Sequence, residues 1–200
     1  MFKLPKQCEV NKFIPKKVFY ENLGITTKTK NEFIDIVEKI TWKYKLAEST
    51  LGVNKTAQIE EIQIFEITLK IKTIPKNIIK VITKGVEYPI LFVIKYQDDI
   101  AFAINDEKIY VSDWNEQLAF AFQGITLAII YENIIKTIIG EQNNSKKLAE
   151  IIILKNQKDE LTKKIAQLEN KLKKEKQFNK KVELNRRLKI LLKELENLEA

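Results

Sequence analysis

The chain has no histidine among its 200 residues and only one cysteine, Cys8. The lack of histidine excludes His-based acid–base catalysis, serine or cysteine nucleophiles activated by histidine, and histidine-ligated metals. A lone thiol forms neither an internal disulfide nor a zinc-binding thiolate cluster, and it fits a reducing compartment. The five glycines are too scattered for a dinucleotide fingerprint or a phosphate-binding loop. We therefore expect no enzyme activity, no cofactor and no metal.

Long apolar runs are also missing. No stretch approaches the roughly 18 apolar residues that a membrane-spanning helix needs. The closest one, GITLAIIYENIIKTIIG, carries Glu132 and Lys136 and is typical of a buried helix. The N-terminal MFKLPKQCEVNKFIPKK lacks the apolar core of a signal peptide. These features predict a cytoplasmic protein that does not contact a membrane.

The first 140 residues alternate between helical and strand-like apolar periodicity. Helices are predicted over 16–22, 29–40, 75–82 and 125–139, and strands over 41–49, 61–71, 89–96, 100–104 and 109–114, with a further candidate strand at 117–122. The pattern predicts an α+β domain over 1–140, in which helices pack on a largely antiparallel sheet of about five or six strands.

Aromatic residues recur along the predicted strands. They are Trp42, Tyr44, Phe65, Phe92, Tyr96, Phe102, Phe120 and Phe122. Strict alternation places Trp42, Tyr44 and Leu46 on one face of their strand. Such residues could form a base-stacking platform, but aromatic residues at strand spacing more often belong to the core.

After a predicted linker at 141–145, residues 146–200 contain neither glycine nor proline. Leu161, Ile165, Leu168 and Leu172 step by four, three and four residues, as the seam of a coiled coil does. A second series, at Leu184, Leu188, Leu191, Leu195 and Leu198, is out of phase with the first. The phase shift between 173 and 181 fits an antiparallel helical hairpin or a stutter in one long helix. The hairpin is favoured because an isolated amphipathic helix needs a packing partner.

The excess of positive charge lies in this C-terminal arm. Residues 145–200 hold 16 basic and nine acidic residues, which is +7 of the net charge of +8. Such an imbalance steers a segment towards anionic partners and suits contacts with DNA phosphates. Lysine-rich usage is also typical of a merely solvated helix face, and the arm could instead fold back on the body and do no more than stabilise it. These interpretations stay open.

One acidic pattern keeps a nuclease interpretation open. Asp98 or Asp99, followed by Asp106, Glu107 and Lys108, distantly echoes the acidic and lysine pattern of metal-dependent nucleases. Both clusters coincide with predicted hairpin turns, where these residue types are common for structural reasons.

Several strings resemble a bacterial and archaeal family of domains of unknown function, numbered 4391. They are EKQFNKKVELN in the arm, IPKK before VFY, KLAESTL, YPILFVI and GITLAIIYENII. The resemblance covers nearly the whole chain. Members look like small cytoplasmic proteins, often encoded beside DNA methyltransferases and helicases of restriction or phage-defence type. The resemblance implies a role near DNA and assigns no catalytic residue.

Together these observations predict an accessory or adaptor protein that binds a partner protein, or a second copy of itself, through the arm. The predicted partner-binding residues are Ile165, Leu168, Leu172, Leu184, Leu188, Leu191 and Leu195. The residues predicted to contact acidic protein or DNA are Lys173, Lys174, Lys180, Lys181, Arg186 and Arg187. A DNA-binding module and a metal-dependent nuclease are the alternative functions.

Overall fold

The computed structural model describes residues 2–141 and 145–199. The chain divides into two compact units, Met1–Asn143 and Asn144–Ala200. Residues 142–144 of the predicted linker lie outside the described residues, so the linker at 141–145 stays a prediction.

The first unit contains six strands and five α-helices within the described residues, after a short 3-10 turn at Lys6–Cys8. The strands are β1 (Glu9–Phe13), β2 (Val37–Ala47), β3 (Glu61–Leu69), β4 (Ile90–Tyr96), β5 (Asp99–Asn105) and β6 (Ile109–Val111). The helices are α1 (Lys17–Asn22), α2 (Thr27–Ile36), α3 (Glu48–Leu51), α4 (Lys76–Gly85) and α5 (Leu127–Ile138). The second unit holds α6 (Leu148–Lys174) and α7 (Phe178–Glu199).

The six strands form one sheet in sequence order, from β1 to β6. Every neighbouring pair is antiparallel except β3 and β4, which run parallel. Parallel neighbours need a crossover connection, and α4 supplies it. The predicted α+β class and the mostly antiparallel sheet are therefore confirmed.

One face of the sheet packs against α1, α2 and α4. Phe65 and Phe92 lie at its centre on adjacent strands, with ring centroids 6.4 Å apart in an edge-on arrangement. Phe33 of α2 and Ile79 of α4 are fully buried in the same core. Such burial is worth about 1.5–3 kcal/mol for each large side chain.

The opposite face of the sheet also carries buried residues. Ile62 and Ile64 of β3 are fully buried on this side, and α5 packs on β3, β5 and β6. An aromatic cluster around Phe2 and Phe120 extends this layer, with those two ring centroids 5.6 Å apart. Most of the aromatic residues that the sequence singled out therefore belong to one of the two cores.

The predicted helix at 29–40 is wrong at its C-terminal end. Helix α2 stops at Ile36, and residues 37–40 begin strand β2. Lys70 stabilises this transition because its backbone N–H donates to the Ile36 carbonyl at 2.8 Å, and its amine donates to Ile34 O at 2.7 Å. The Lys16 amine donates to the Val37 carbonyl at 2.8 Å. The β-branched residues that follow favour a strand over a helix, so the chain continues as β2.

The prediction that Trp42, Tyr44 and Leu46 share one face is also wrong. The register of β2 against β3 shifts between Trp42 and Tyr44, so Trp42 pairs with Phe65 while Tyr44 pairs with Ile64. Neighbouring residues of a strand point to opposite faces. Trp42 therefore packs on the helix-covered core, whereas Tyr44 contacts Phe2 on the other side, at 6.0 Å between ring centroids.

Two further differences concern the edges of the sheet. Strand β1 was not predicted, because four of its five residues are exposed and its composition shows no apolar alternation. The candidate strand at 117–122 is not a strand. In this segment Phe120 and Phe122 alternate with other residues and contact Phe2 with their rings, but the backbone does not pair with a strand of the sheet.

Candidate interaction site on the C-terminal hairpin

The second unit is an antiparallel helical hairpin. Helix α6 ends at Lys174, and Glu175 takes an extended conformation with φ −73° and ψ 134°. Helix α7 begins three residues later and packs back along α6. The out-of-phase leucine series thus belong to two helices that meet face to face. Coiled-coil packing in the strict sense stays a prediction.

Glu175 organises the connection between the two helices. One of its carboxylate oxygens, Oε1, accepts the backbone N–H groups of Lys176 and Gln177, each at 2.9 Å. The first helical bond of α7 follows, from Lys181 N to Gln177 O at 3.0 Å. A carboxylate at a helix N-terminus satisfies N–H groups that have no partner within the helix. The N–H groups of Gln177 and Lys176, together with the nearby lysines, lower the pKa of Glu175.

We expect the Glu175 carboxyl to titrate at a lower pH in the folded chain than in the same chain unfolded in urea. A lowered pKa in the folded state means that the contribution of Glu175 to stability is present above the unfolded pKa. That contribution is lost as the pH falls through the folded pKa. The side-chain carboxyl ¹³C shift, assigned with a Glu175→Gln variant, measures both midpoints. Equal midpoints in the two states would contradict this account of the turn.

The seven predicted partner-binding residues all lie in the hairpin, but the hairpin does not cover them all. Ile165 is buried, with 8% of its surface exposed. The six leucines keep partial exposure, namely Leu168, Leu172, Leu184, Leu188, Leu191 and Leu195. We call this row the seam. Two helices cover each other on one side only, so their apolar residues stay accessible along the flanks.

Two adjoining pockets, which share Lys171 and Arg187, lie along the seam and together form a groove. The residues that line it are Lys164, Gln167, Leu168, Lys171, Lys174, Glu175, Lys180, Glu183, Leu184, Arg187, Ile190 and Leu191. Leucines from both helices are among the apolar residues of this lining, and lysines and an arginine surround them. We call this surface the basic groove.

The six basic residues predicted to contact acidic partners do not form one surface. Lys174, Lys180 and Arg187 line the basic groove, whereas Lys173, Lys181 and Arg186 do not. Successive residues of a helix point about 100° apart, so adjacent basic residues cannot share a face. Arg187 also forms an i,i+4 ion pair with Glu183.

Two basic residues of the groove were not predicted from the sequence. Lys164 and Lys171 line it although neither was selected as a site residue. They lie seven residues apart, and each directly precedes one of the predicted partner-binding residues, Ile165 or Leu172. Heptad positions that flank a seam commonly carry interhelical charges. This spacing could have found both residues, but not the flank of the hairpin on which they lie.

Apolar side chains are also exposed outside the seam on α7. Ile190 and Val182 are each 53% exposed, Leu192 is 39% exposed, and Phe178 at the start of the helix is 78% exposed. Ile190 and Leu192 lie on either side of the seam residue Leu191 in sequence. A helix that is apolar beyond its contact with one neighbour has room for a second neighbour.

The acidic residues of the nuclease interpretation do not share a site. Asp99 is the first residue of β5 and Asp106 follows its last one, so the two lie roughly 20 Å apart at strand rise. Asp99 binds Lys72 at 2.6 Å and accepts from Asn115, and these bonds lower its pKa. Asp106 accepts a hydrogen bond from the Tyr131 hydroxyl at 2.8 Å. Over the described ranges, no three acidic or cysteine side chains cluster to hold a metal ion.

Cys8 is fully buried, and its thiol donates to the Thr50 carbonyl at 3.3 Å. Burial raises the pKa of this thiol. A buried thiol with a raised pKa is poorly reactive, since the thiolate is the nucleophilic form. The position of Cys8 is therefore structural.

The fold and the hairpin together define an α+β protein with an appended pair of antiparallel helices. The chain belongs to the family described as Domain of unknown function (DUF4391), whose model matches residues 2–195. The resemblance seen in the sequence is thereby confirmed over nearly the whole chain. Neither the curated proteins nor the solved structures gave a match. Within the described residues, no helix combines the length and apolarity that a membrane span requires.

Proposed function

We propose that this protein is a non-enzymatic adaptor that binds a partner protein through the C-terminal hairpin. The observation that carries the proposal is the partial exposure of the six seam leucines, although α6 and α7 already pack together. Covering apolar surface is worth about 25 cal/mol for each Å² removed from water. A partner helix laid on the seam would gain this free energy along both helices of the hairpin.

A DNA-binding module is the alternative, and the distribution of charge supports it less well. The net charge of residues 145–200 is +7, which would give affinity that falls steeply with salt. However, the six basic residues point in several directions around two helices, so one duplex would meet only some of them. The exposed seam has no role in phosphate contacts.

The cellular setting is also part of the proposal. The family resemblance suggests a cytoplasmic complex of restriction or phage-defence type, in which a larger enzyme would be the partner. In that setting the hairpin would join this chain to a protein that performs the chemistry.

The proposal predicts that Ile190→Gln combined with Leu192→Gln removes a partner that copurifies with the tagged full-length chain. These side chains flank the seam, and their loss leaves the leucines between the two helices in place. The control is Val182→Gln, which removes an apolar side chain of the same helix that is as exposed as Ile190. Affinity purification followed by mass spectrometry measures the amount of partner retained. We expect a loss of about tenfold or more in the double variant only.

Capture alone does not suffice, so the partner should also be purified and recombined with the chain. A complex of fixed stoichiometry that the double variant cannot form supports an adaptor. The proposal is wrong if no protein reassembles with the wild-type chain. It is equally wrong if both variants retain the partner. Duplex DNA that binds wild type and variants alike would favour the DNA-binding alternative.

A further inference from the structure

We infer that the basic groove receives an acidic amphipathic helix, so that the hairpin and its partner form a three-helix bundle. This inference rests on the proposed function and names the kind of partner that the hairpin takes. It follows from the shape of the groove, the apolar residues inside it and the sign of the charges around it.

The shape of the groove suits a helix. It extends from Lys164 to Lys174 on α6, which is roughly 15 Å at helical rise, or about three turns of a partner. Leu168, Leu184 and Leu191 line it on the two helices. A third helix packs between two others by placing its apolar ridge in such a groove.

The charges specify an acidic partner. Five of the lining residues are basic, namely Lys164, Lys171, Lys174, Lys180 and Arg187, and two are acidic. Glu183 and Arg187 pair with each other, Glu175 accepts backbone N–H groups, and the Lys164 amine lies 3.9 Å from the Glu160 carboxylate. In the part of the chain that the structure describes, Lys171 and Lys174 form no salt bridge. Glutamates flanking the apolar stripe of a partner helix would meet these lysines at the rim.

The same charges disfavour a second copy of this chain as the occupant. The hairpin carries a net +7 over residues 145–200. A second hairpin would therefore bring basic side chains against the basic walls. Like charges placed across an interface reject the wrong partner.

The test is a display library of helical peptides of about three heptads, selected on the full-length chain. Leucine is fixed at the a and d positions, and the e and g positions encode Glu, Gln or Lys equally. We expect selection to enrich Glu at the flanking positions. The affinity of the best peptide is then measured by fluorescence anisotropy on wild type and variants.

Two variants of equal net charge separate the groove from general electrostatic attraction. The groove variant carries Lys164→Glu, Lys174→Glu and Lys180→Glu. The control carries the same change at the adjacent residues Lys163, Lys173 and Lys181, which do not line the groove. We expect the Kd of the acidic peptide to rise about tenfold or more in the groove variant and less than about threefold in the control. Far-UV circular dichroism checks that the groove variant and the control variant both keep the hairpin. A variant that loses the hairpin is replaced by one with Lys→Gln at the same three positions.

Three outcomes would overturn the inference. They are a library without Glu enrichment, equal losses in the two variants, and a wild-type dimer that only the groove variant disrupts. If the captured partner is still lost in a Leu192→Gln variant, whose changed side chain lies outside the groove, the adaptor proposal survives any of them. If no partner is captured while the acidic peptide binds the groove, the proposed function fails and the site stands.

Discussion

Replacing Leu188 and Leu191 together with aspartate should unfold both helices of the hairpin while the α+β unit keeps its native structure. Helices α6 and α7 hold 27 and 22 residues and have the seam as their shared apolar contact. Two carboxylates in the seam would replace apolar contacts between the helices and lose part of their hydration, which costs several kcal/mol. Most helical stability in proteins comes from packing of an amphipathic face, so loss of the seam should remove much of the helical structure of α6 and α7.

Circular dichroism can separate the two units in this experiment. Both tryptophans and all six tyrosines precede residue 144, so the near-UV signal reports almost entirely on the first unit. We expect the far-UV helical signal to fall by roughly half while the near-UV signal persists. The control is Val182→Asp, since this side chain is 53% exposed and outside the seam. A far-UV spectrum that the double variant leaves unchanged would show that the leucines do not hold the helices together.

This result would also clarify the two roles of the leucine rows. Seam leucines join α6 to α7, whereas Ile190 and Leu192 are exposed beside the seam and are free to contact a partner. Variants of the first kind should remove the hairpin and partner binding together. Variants of the second kind should remove binding alone. The distinction depends on the exposed fraction of each side chain, which the leucine spacing does not reveal.

Sequence periodicity correctly predicted the helices and strands that pack against another regular helix or strand. Leucine spacing identified both helices of the hairpin, and the phase shift between the two series predicted a turn or a stutter between 173 and 181, where the structure has a break at 175–177. Alternation identified β3, β4 and β5, whose apolar side chains fill both cores. In each case a repeating pattern meets a regular neighbour, so local sequence and tertiary packing agree.

Sequence periodicity failed where a distant residue decides the local structure. Helix α2 ends at Ile36 because Lys70, far along the chain, supplies donors for its last carbonyl groups. The faces of Trp42 and Tyr44 are decided by the register shift against β3, which inserts one extra residue in β2. Neither the donor nor the shift leaves a signal within the segment that it changes.

The candidate site likewise has one part that the sequence predicts and one part that it does not. The seam could be predicted because apolar helix faces repeat with the helical period. The basic groove could not, because the flank that it occupies depends on how α6 and α7 are rotated against each other. That rotation brings Lys171 of one helix and Arg187 of the other to the same groove.

Removing the amine of Lys45 should strongly destabilise the first unit. The Lys45 amine lies 2.7 Å from the Glu61 carboxylate, whose side chain is only 8% exposed. Gln63 donates a further hydrogen bond to Glu61 at 2.8 Å. In a Lys45→Met variant this buried carboxylate would keep the amide but lose its cation. We expect a cost of about 2–3 kcal/mol, since an unpaired buried charge is expensive but Lys45 is itself partly exposed.

Urea unfolding followed by tryptophan fluorescence measures this cost, because both tryptophans lie in the first unit. Glu61→Gln in the same background is the decisive control, since a neutral amide still accepts from Gln63 and needs no cation. The double variant should regain most of the lost free energy of unfolding, whereas Glu61→Gln alone should cost less than about 1 kcal/mol. If Lys45→Met costs as little as a surface ion pair, below about 1 kcal/mol, solvent already stabilises Glu61. Position 61, at the start of β3, would then tolerate Glu or Gln equally. The ion pair between Lys45 and Glu61 would not contribute to the pairing of β2 with β3.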